Sequence, residues 1–276
     1  MMLATQQFLV LVLTLTFLAK SFSFINNPAP RNSHSEIRSR SATLLYSSAG
    51  YSAEASLLLQ KAELFRIGET TDRGFSCTQG QRSEAEKIIT TLKNTQATAP
   101  ALADLEGKWT LVYTDAPDIT GLSQQPAARL GRVGQEIARG DGDSYVISNV
   151  IEWLRPRWLD RLPLGGFAGR LVGETDKGRV IQKVVTEGSE RAGSSKSGVF
   201  VDLKIKGASF SPQGEDDELP VAFQILRDRP VDLRGGITLP FGSFEILYRD
   251  EALRIIKTSN GHYAVNSKDD ITSSWF

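Results

Sequence analysis

The spacing of hydrophobic positions changes once along this chain, near Pro100. Before that point, apolar residues recur three and four positions apart, which is the pattern of an amphipathic helix. Ser52 is a suitable cap for a first helix, which we expect to end near Gly68. Ser83 and Glu86 have the spacing of a capping box at the start of a second helix. We therefore predict two short α-helices within an N-terminal helical region, residues 51–100, with these apolar positions: Leu57, Leu58, Ala62, Leu64, Phe65, Ile88, Ile89 and Leu92.

Beyond residue 100, apolar residues alternate with polar ones, as in a strand with one buried face. Strand-like segments are residues 109–113, 145–151, 180–187, 199–205, 219–226, 244–248, 253–258 and 263–265. The last two are joined by Ser259-Asn260-Gly261-His262, a hairpin signal. About eight to ten short strands with turns between them predict a mainly β fold over residues 101–276, either a sandwich or an antiparallel β-barrel, preceded by the helices. A barrel of about eight strands can hold one small ligand, although side chains can also fill it completely.

The first 50 residues have the composition of targeting segments. Residues 8–19 form an apolar run too short to cross a bilayer, followed by Ser21 and Ser23, and this favours a signal peptide over residues 1–23. Residues 24–50 are rich in arginine and serine and contain a single acid, Glu36, which is typical of a transit peptide. Phe24 at the proposed junction resembles the bipartite presequences of algal plastids wrapped in extra membranes. Plain secretion with a propeptide is the alternative.

The composition of the chain and the chemistry of its single cysteine and two histidines exclude several kinds of function. The 32 basic residues balance 32 acidic ones, so no overall charge attracts a nucleic acid. A lone cysteine, Cys77, excludes an internal disulfide and a Cys-based zinc site. His34 lies in the targeting segment and His262 in a predicted turn, and the chain has no Gly-x-Ser-x-Gly motif, phosphate loop or dinucleotide fingerprint. We expect no catalytic residue, no metal site, no cofactor and no nucleic-acid partner.

Two segments carry a family resemblance. Residues 105–114, with Gly107 and Trp109, resemble the first strand of the plastid lipid-associated proteins called fibrillins, itself similar to the Gly-x-Trp start of lipocalins. Residues 239–255, which end in an acidic-Leu-Arg-Ile pattern, are similar to a strand near the C-terminus of that family. With weaker similarity at 132–135 and 149–150, the resemblance spans residues 101–267. Lys257, where the family often has arginine, and the unmatched segments 155–169 and 188–198 leave the subfamily and the ligand open.

The resemblance implies a lipocalin-like barrel in a plastid (chloroplast) protein of thylakoids or plastid lipid droplets. It implies binding of an apolar lipid or isoprenoid, such as a carotenoid, a quinone or an acyl lipid, without a cofactor. Some relatives act by binding a prenyl-quinone biosynthetic enzyme, so an adaptor that docks on a membrane or on such an enzyme is an alternative function. A lipocalin-fold enzyme acting on a lipid or carotenoid is a second alternative.

Within the predicted barrel, Trp109 and Arg254 are candidates for closing the narrow end. In lipocalins an arginine from a late strand lies across the tryptophan of the first, and a guanidinium over an indole contributes roughly 0.5–2 kcal/mol. Strand parity selects a candidate cavity wall, which is Leu111, Tyr113, Phe223, Phe244, Ile246 and Tyr248. A plain packed core explains the same six residues equally well.

Residues 153–162 interleave two tryptophans with three arginines ahead of Pro163. Tryptophan at a headgroup boundary and arginine near anionic lipid are the two parts of an interfacial anchor. We hypothesise that Trp153, Arg155, Arg157, Trp158 and Arg161 touch a membrane or a lipid-droplet surface. A lid over the barrel mouth and an ordinary loop packed by its two tryptophans are the alternatives.

Overall fold

The structure is a computed structural model that describes residues 52–124, 128–154, 178–191, 198–214, 231–232 and 239–269. The chain divides into two compact units, Met1–Glu54 and Ala55–Phe276. The elements below belong to the second unit, apart from the first two residues of the first helix. Among the helices in the described ranges, none is both long and apolar enough to span a membrane.

Two helices precede the sheet, as the helical spacing predicts. Helix α1 runs from Ala53 to Thr70 and helix α2 from Gln79 to Thr95. The capping box of α2 is formed by Thr78 and Gln81, whose side chains each accept the backbone N–H of the other. The prediction of a box at Ser83 was therefore wrong, because an equally spaced pair lies one turn earlier.

Nine strands form one sheet. Their bounds are β1 Gly107–Thr114, β2 Arg129–Arg139, β3 Tyr145–Leu154, β4 Arg179–Glu190, β5 Val199–Gln213, β6 Val231–Asp232, β7 Leu239–Arg249, β8 Leu253–Thr258 and β9 Tyr263–Lys268. The order is β4-β3-β2-β1-β9-β8-β7-β5, and β5 also pairs with β4, so eight antiparallel strands close into a ring. The short β6 pairs with the far end of β5. The predicted barrel is confirmed, while the strand predicted at 219–226 lies outside the described residues.

A 3₁₀ turn, Leu102–Leu105, covers the end of the barrel at which β1 begins; we call this the closed end. Its leucines join an apolar cluster built from strands on opposite sides of the ring. The buried members are Leu102, Leu105, Ile137, Tyr145, Ile147, Val199, Val201, Phe244, Ile246 and Ile256. The Leu102 N–H donates to Glu190 Oε1 at 2.6 Å and so joins the turn to the end of β4. This cluster is the barrel interior.

The two helices cover part of the outer barrel surface and make a second apolar cluster there. Its buried members are Leu64, Ile67, Ala85, Ile88, Ile89, Leu92, Tyr113, Leu247, Tyr248, Leu253, Ile255 and Val265. Helix α1 approaches β1 closely at Gly68, where an added Cβ would lie 2.3 Å from the Val112 carbonyl oxygen. Only glycine allows this approach, which is why the helix continues through Gly68 to Thr70 instead of ending there.

Bulges in β1 and β7 change which of their side chains face the barrel interior. Pairing shifts by one residue between Leu111 and Tyr113 in β1, and between Ile246 and Tyr248 in β7. Such bulges turn the following side chains to the other face of the sheet. Both occur where the helices cover the barrel, so the residues after each shift join the outer cluster.

Candidate functional site

The closed end of the barrel is organised around Trp109, which is fully buried. Trp109 is the third residue of β1, and its Nε1–H donates to the carbonyl oxygen of Leu105 in the 3₁₀ turn at 2.8 Å. This bond satisfies the only polar group of the indole and fixes the ring against the turn. Trp109 and the turn therefore lie together across the closed end.

Arg254 lies over the indole of Trp109. Its guanidinium carbon is 4.9 Å from the centre of the ring, which is cation–π distance. Arg254 Nη2 donates to Gln135 Oε1 at 2.6 Å. Gln135 is on β2, and β2 and β8 are separated by two strands in the ring, so this contact crosses the barrel interior. The structure thus brings together the two residues selected from the sequence and adds Gln135.

Few hydrogen bonds compensate the buried charge of Arg254. Its side chain is 0% exposed, and its Nε and Nη1 have no hydrogen-bond acceptor among the described residues. Burial lowers the pKa of Arg254 to about 9, so the group remains protonated at neutral pH. Lys268 Nζ lies 5.6 Å from the centre of the Trp109 ring, which places a second cation beside the same indole. Two cations therefore lie beside the indole of Trp109.

Neutral polar side chains continue from Arg254 across the interior. Gln135 Nε2 donates to Asn149 Oδ1 at 2.7 Å, and Trp153 Nε1 donates to Gln182 Oε1 at 2.8 Å nearer the opposite end. Sequence reasoning missed Gln135, Asn149 and Gln182. Their hydrogen-bond partners lie on neighbouring strands, so these contacts are recognisable only after the strand pairing is known.

The predicted cavity wall is only partly on the interior. Phe244 and Ile246 belong to the interior cluster, and Leu111 shares the face of Trp109 two residues away. Tyr113 and Tyr248 were predicted wrongly, because the bulges before them turn both to the helix-covered outer surface. Phe223 lies outside the described residues.

Tyr113 instead faces a surface pocket of about 380 Å³ between α2 and the β8–β9 hairpin. Burial, and then the nearby charge of Asp115, raises the pKa of Tyr113 well above its usual value near 10. His262 Nδ1 lies 3.7 Å from an oxygen of the same Asp115 at the edge of this region. The pocket is polar and open, with charges of both signs from Arg82, Glu86 and Lys257.

Tyr248 and Asp250 connect the barrel to helix α1. Lys61 Nζ donates to Asp250 Oδ2, the Tyr248 hydroxyl donates to the same oxygen at 2.8 Å, and the backbone N–H groups of Ala252 and Leu253 donate to Oδ1. Burial alone would raise the pKa of Asp250, but these hydrogen bonds outweigh it and lower that pKa. Asp250 is thus an ionised structural link.

Of the residues predicted to touch a membrane, the structure describes Trp153 alone. It is the penultimate residue of β3, at the end of the barrel opposite the 3₁₀ turn. Arg155, Arg157, Trp158 and Arg161 lie outside the described residues. Beside Trp153 on the same strand, the buried Glu152 binds Arg179 at 2.7 Å and Arg132 at 3.3 Å, a group that sequence reasoning also missed.

Within the described ranges, no group of three or more His, Cys, Asp and Glu side chains is arranged to hold a metal ion.

Comparison with known proteins gives one family and several relatives. A family model described as PAP_fibrillin matches residues 59–165, a segment that contains Trp109 and ends before Arg254. The chain is similar to the probable plastid-lipid-associated protein 10, chloroplastic, of Arabidopsis thaliana, with 33% identity over 39% of this chain and 40% of that protein. It is also similar to the plastid-lipid-associated protein, chloroplastic, of Citrus unshiu, with 36% identity over 31% of this chain and 28% of that protein.

The matched segments therefore cover two fifths or less of these relatives' own lengths. No solved structure matches the chain.

Proposed function

We propose that this chain is a member of the fibrillin family of plastid lipid-associated proteins, to which it is similar over residues 59–165, and that it binds an apolar lipid or isoprenoid inside its barrel. The candidate ligand classes are carotenoids, quinones and acyl lipids. The observation that carries the proposal is an eight-stranded ring with an apolar interior, covered at one end by the 3₁₀ turn, Trp109 and Arg254. Barrels of this strand number are the right size for one small ligand.

The proposed location is the plastid, at thylakoids or plastid lipid droplets. The relatives carry the word chloroplastic in their names, which supports this location. The bipartite signal (1–23) and transit (24–50) segments are part of the proposal, as is a complex plastid with several envelope membranes. Expression of residues 1–50 fused to a fluorescent protein tests it, and secretion of the fusion would contradict it.

The direct test of ligand binding is mass spectrometry of organic extracts from the native protein. We expect a carotenoid, quinone or acyl lipid in a stoichiometric amount. An empty barrel that copurifies with a prenyl-quinone biosynthetic enzyme would instead favour the adaptor function.

We also propose that the end of the barrel near Trp153 contacts the lipid surface, because this end is opposite the closed end. Liposome co-sedimentation of the full chain tests this. Replacing Trp153 and Trp158 by Ala should reduce the bound fraction several-fold, whereas replacing Phe200, an exposed residue of β5, should not. Equal binding of the double variant and the unchanged protein would contradict the contact.

One observation favours the adaptor as a second candidate. Leu58 and Leu59 on α1 are 60% and 54% exposed, while Leu64 and Ile67 of the same helix are buried against the barrel. A protein partner could bury these two leucines, and their replacement by Ser would then abolish copurification of that partner.

For the enzyme alternative, the structure adds no favourable observation, since Asp250 is engaged with Lys61 and two backbone N–H groups.

A further inference from the structure

The least compensated charge of the described barrel interior is the guanidinium of Arg254. A guanidinium has five N–H donors, and leaving buried donors without acceptors is costly. Here Nη2 donates to Gln135 Oε1 at 2.6 Å, while Nε and Nη1 have no acceptor and no contact with solvent. These two donors point to different sides of the guanidinium, and each can form a charge-assisted hydrogen bond with a carboxylate oxygen.

The surroundings of Arg254 increase the preference for an anion. Lys268 Nζ lies 5.6 Å from the Trp109 ring on which Arg254 also stacks. Within the described part of the chain, no carboxylate forms an ion pair with Arg254, and burial is the single cause that lowers its pKa. Gln135, Asn149 and Asn266, which lie on the same inner face, are neutral. Two cations thus share one indole in a low-dielectric site that attracts a negative charge.

We infer that the unpaired donors of Arg254 bind the terminal carboxylate of the ligand. This inference rests on the proposed function and narrows its ligand to a long apolar molecule with one carboxylate end, such as a fatty acid. The carboxylate lies at the closed end above Trp109, and the apolar tail runs along Phe244 and Ile246 toward the end near Trp153.

The geometry also requires a rearrangement on binding. Both nitrogens are covered in the ligand-free barrel, so the carboxylate has to displace the side chains that cover them. Charge-assisted hydrogen bonds to the guanidinium compensate for this, because they replace two unsatisfied donors by paired ones.

The test compares two probes with the same tail, oleate and oleyl alcohol, by isothermal titration calorimetry with the full chain at pH 8. The unchanged protein is expected to bind oleate at least about tenfold more tightly than the alcohol. Arg254→Met should remove this preference and leave the affinity for the alcohol within about threefold. The matched control is Lys257→Met on the opposite face of β8, where Lys257 Nζ lies 5.1 Å from the Tyr263 ring; it should keep the preference.

Each outcome decides between the proposals. Equal affinity of the unchanged protein for oleate and the alcohol overturns the inference and leaves the proposed function standing. A preference that survives in Arg254→Met also overturns the inference. Binding of neither probe overturns the inference, and the proposed function then depends on the ligand found by mass spectrometry of the native protein. Should Arg254→Met fail to fold, the comparison of the two probes on the unchanged protein still decides.

Discussion

Arg254 and Tyr113 show how burial sets the behaviour of single residues in this barrel. Arg254 holds its charge inside the ring with one hydrogen bond and one aromatic partner. Tyr113 holds a neutral hydroxyl under α2, where burial and Asp115 oppose its ionisation. In both cases the folded protein favours the neutral form, but only tyrosine is neutral at physiological pH, so only arginine carries a cost there.

Replacing Arg254 by Met should therefore leave the stability unchanged or raise it by about 1 kcal/mol, because well-packed apolar side chains often replace poorly compensated buried charges without loss. Trp109→Ala removes a fully buried indole and should lower the free energy of unfolding by about 3–5 kcal/mol. Urea unfolding at pH 7 measures both. A loss of more than about 2 kcal/mol in Arg254→Met would mean that its contacts with Trp109 and Gln135 outweigh its desolvation.

The raised pKa of Tyr113 predicts that the folded protein loses stability at alkaline pH. Its pKa is raised in the folded state, so its stabilising contribution is complete below about 10, the unfolded value, and is lost as pH rises through the folded value. Tyr113→Phe should match the unchanged protein at pH 8 and lose less stability between pH 8 and 11. Chemical denaturation at several pH values provides the measurement, and parallel pH curves for the two proteins would contradict the assignment.

At the scale of elements, the helices and the barrel wall depend on one another. The cluster under α1 and α2 contains residues from β1, β7, β8 and β9, and Lys61 joins α1 to Asp250 beside it. Within α1, Gly68 approaches the backbone of β1 closely, against the carbonyl of Val112. The helices are therefore part of the barrel's packing.

Two glycine-to-alanine substitutions distinguish the effect of this close contact on stability from the effect of helix propensity. Gly68→Ala places a methyl group 2.3 Å from the Val112 oxygen and should lower stability by about 1–3 kcal/mol, because α1 has to move away from β1. Gly80→Ala in α2 meets its nearest atom at 4.0 Å and should leave stability equal or up to about 1 kcal/mol higher. Thermal unfolding compares the pair, and a neutral Gly68→Ala would show that the contact is loose.

At the scale of the whole molecule, ring closure makes the two ends of the barrel different. The closed end has the 3₁₀ turn, Trp109 and two cations, while the other end has Trp153 and Gln182. A ligand with one polar and one apolar end would have a preferred orientation in such a ring. Binding and surface contact are then properties of opposite ends of one barrel.

The sequence boundary at residue 100 separates two types of element, but the outer cluster lies across it. A chain of residues 51–276 should therefore unfold cooperatively, whereas residues 101–276 alone should expose the outer surface of β1, β7, β8 and β9 and bind a hydrophobic dye. Circular dichroism and dye fluorescence distinguish the two. A cooperative transition in the shorter chain would establish residues 101–276 as an independent domain.

Local pattern was sufficient for the fold class and for most elements, although β2 was not predicted. Alternation along 109–111, 145–151 and 199–205 predicted strands that the structure contains, and the family model matches the segment that includes Gly107 and Trp109. Helical spacing also predicted both helices, with an error of one turn at the start of α2. These features depend on residues that are close together in the chain, so they can be predicted from the sequence directly.

The sequence by itself thus determined the helices, most strands, the mainly β fold and the two residues of the closed end. Only the tertiary structure decided which aromatic residues face the interior, because the bulges before Tyr113 and Tyr248 arise from pairing with β9 and β8. It also decided the uncompensated charge of Arg254, since Gln135 and Lys268 approach that site from other strands. Pairing between distant segments sets both features, and this pairing cannot be inferred from the alternation of residues along one strand.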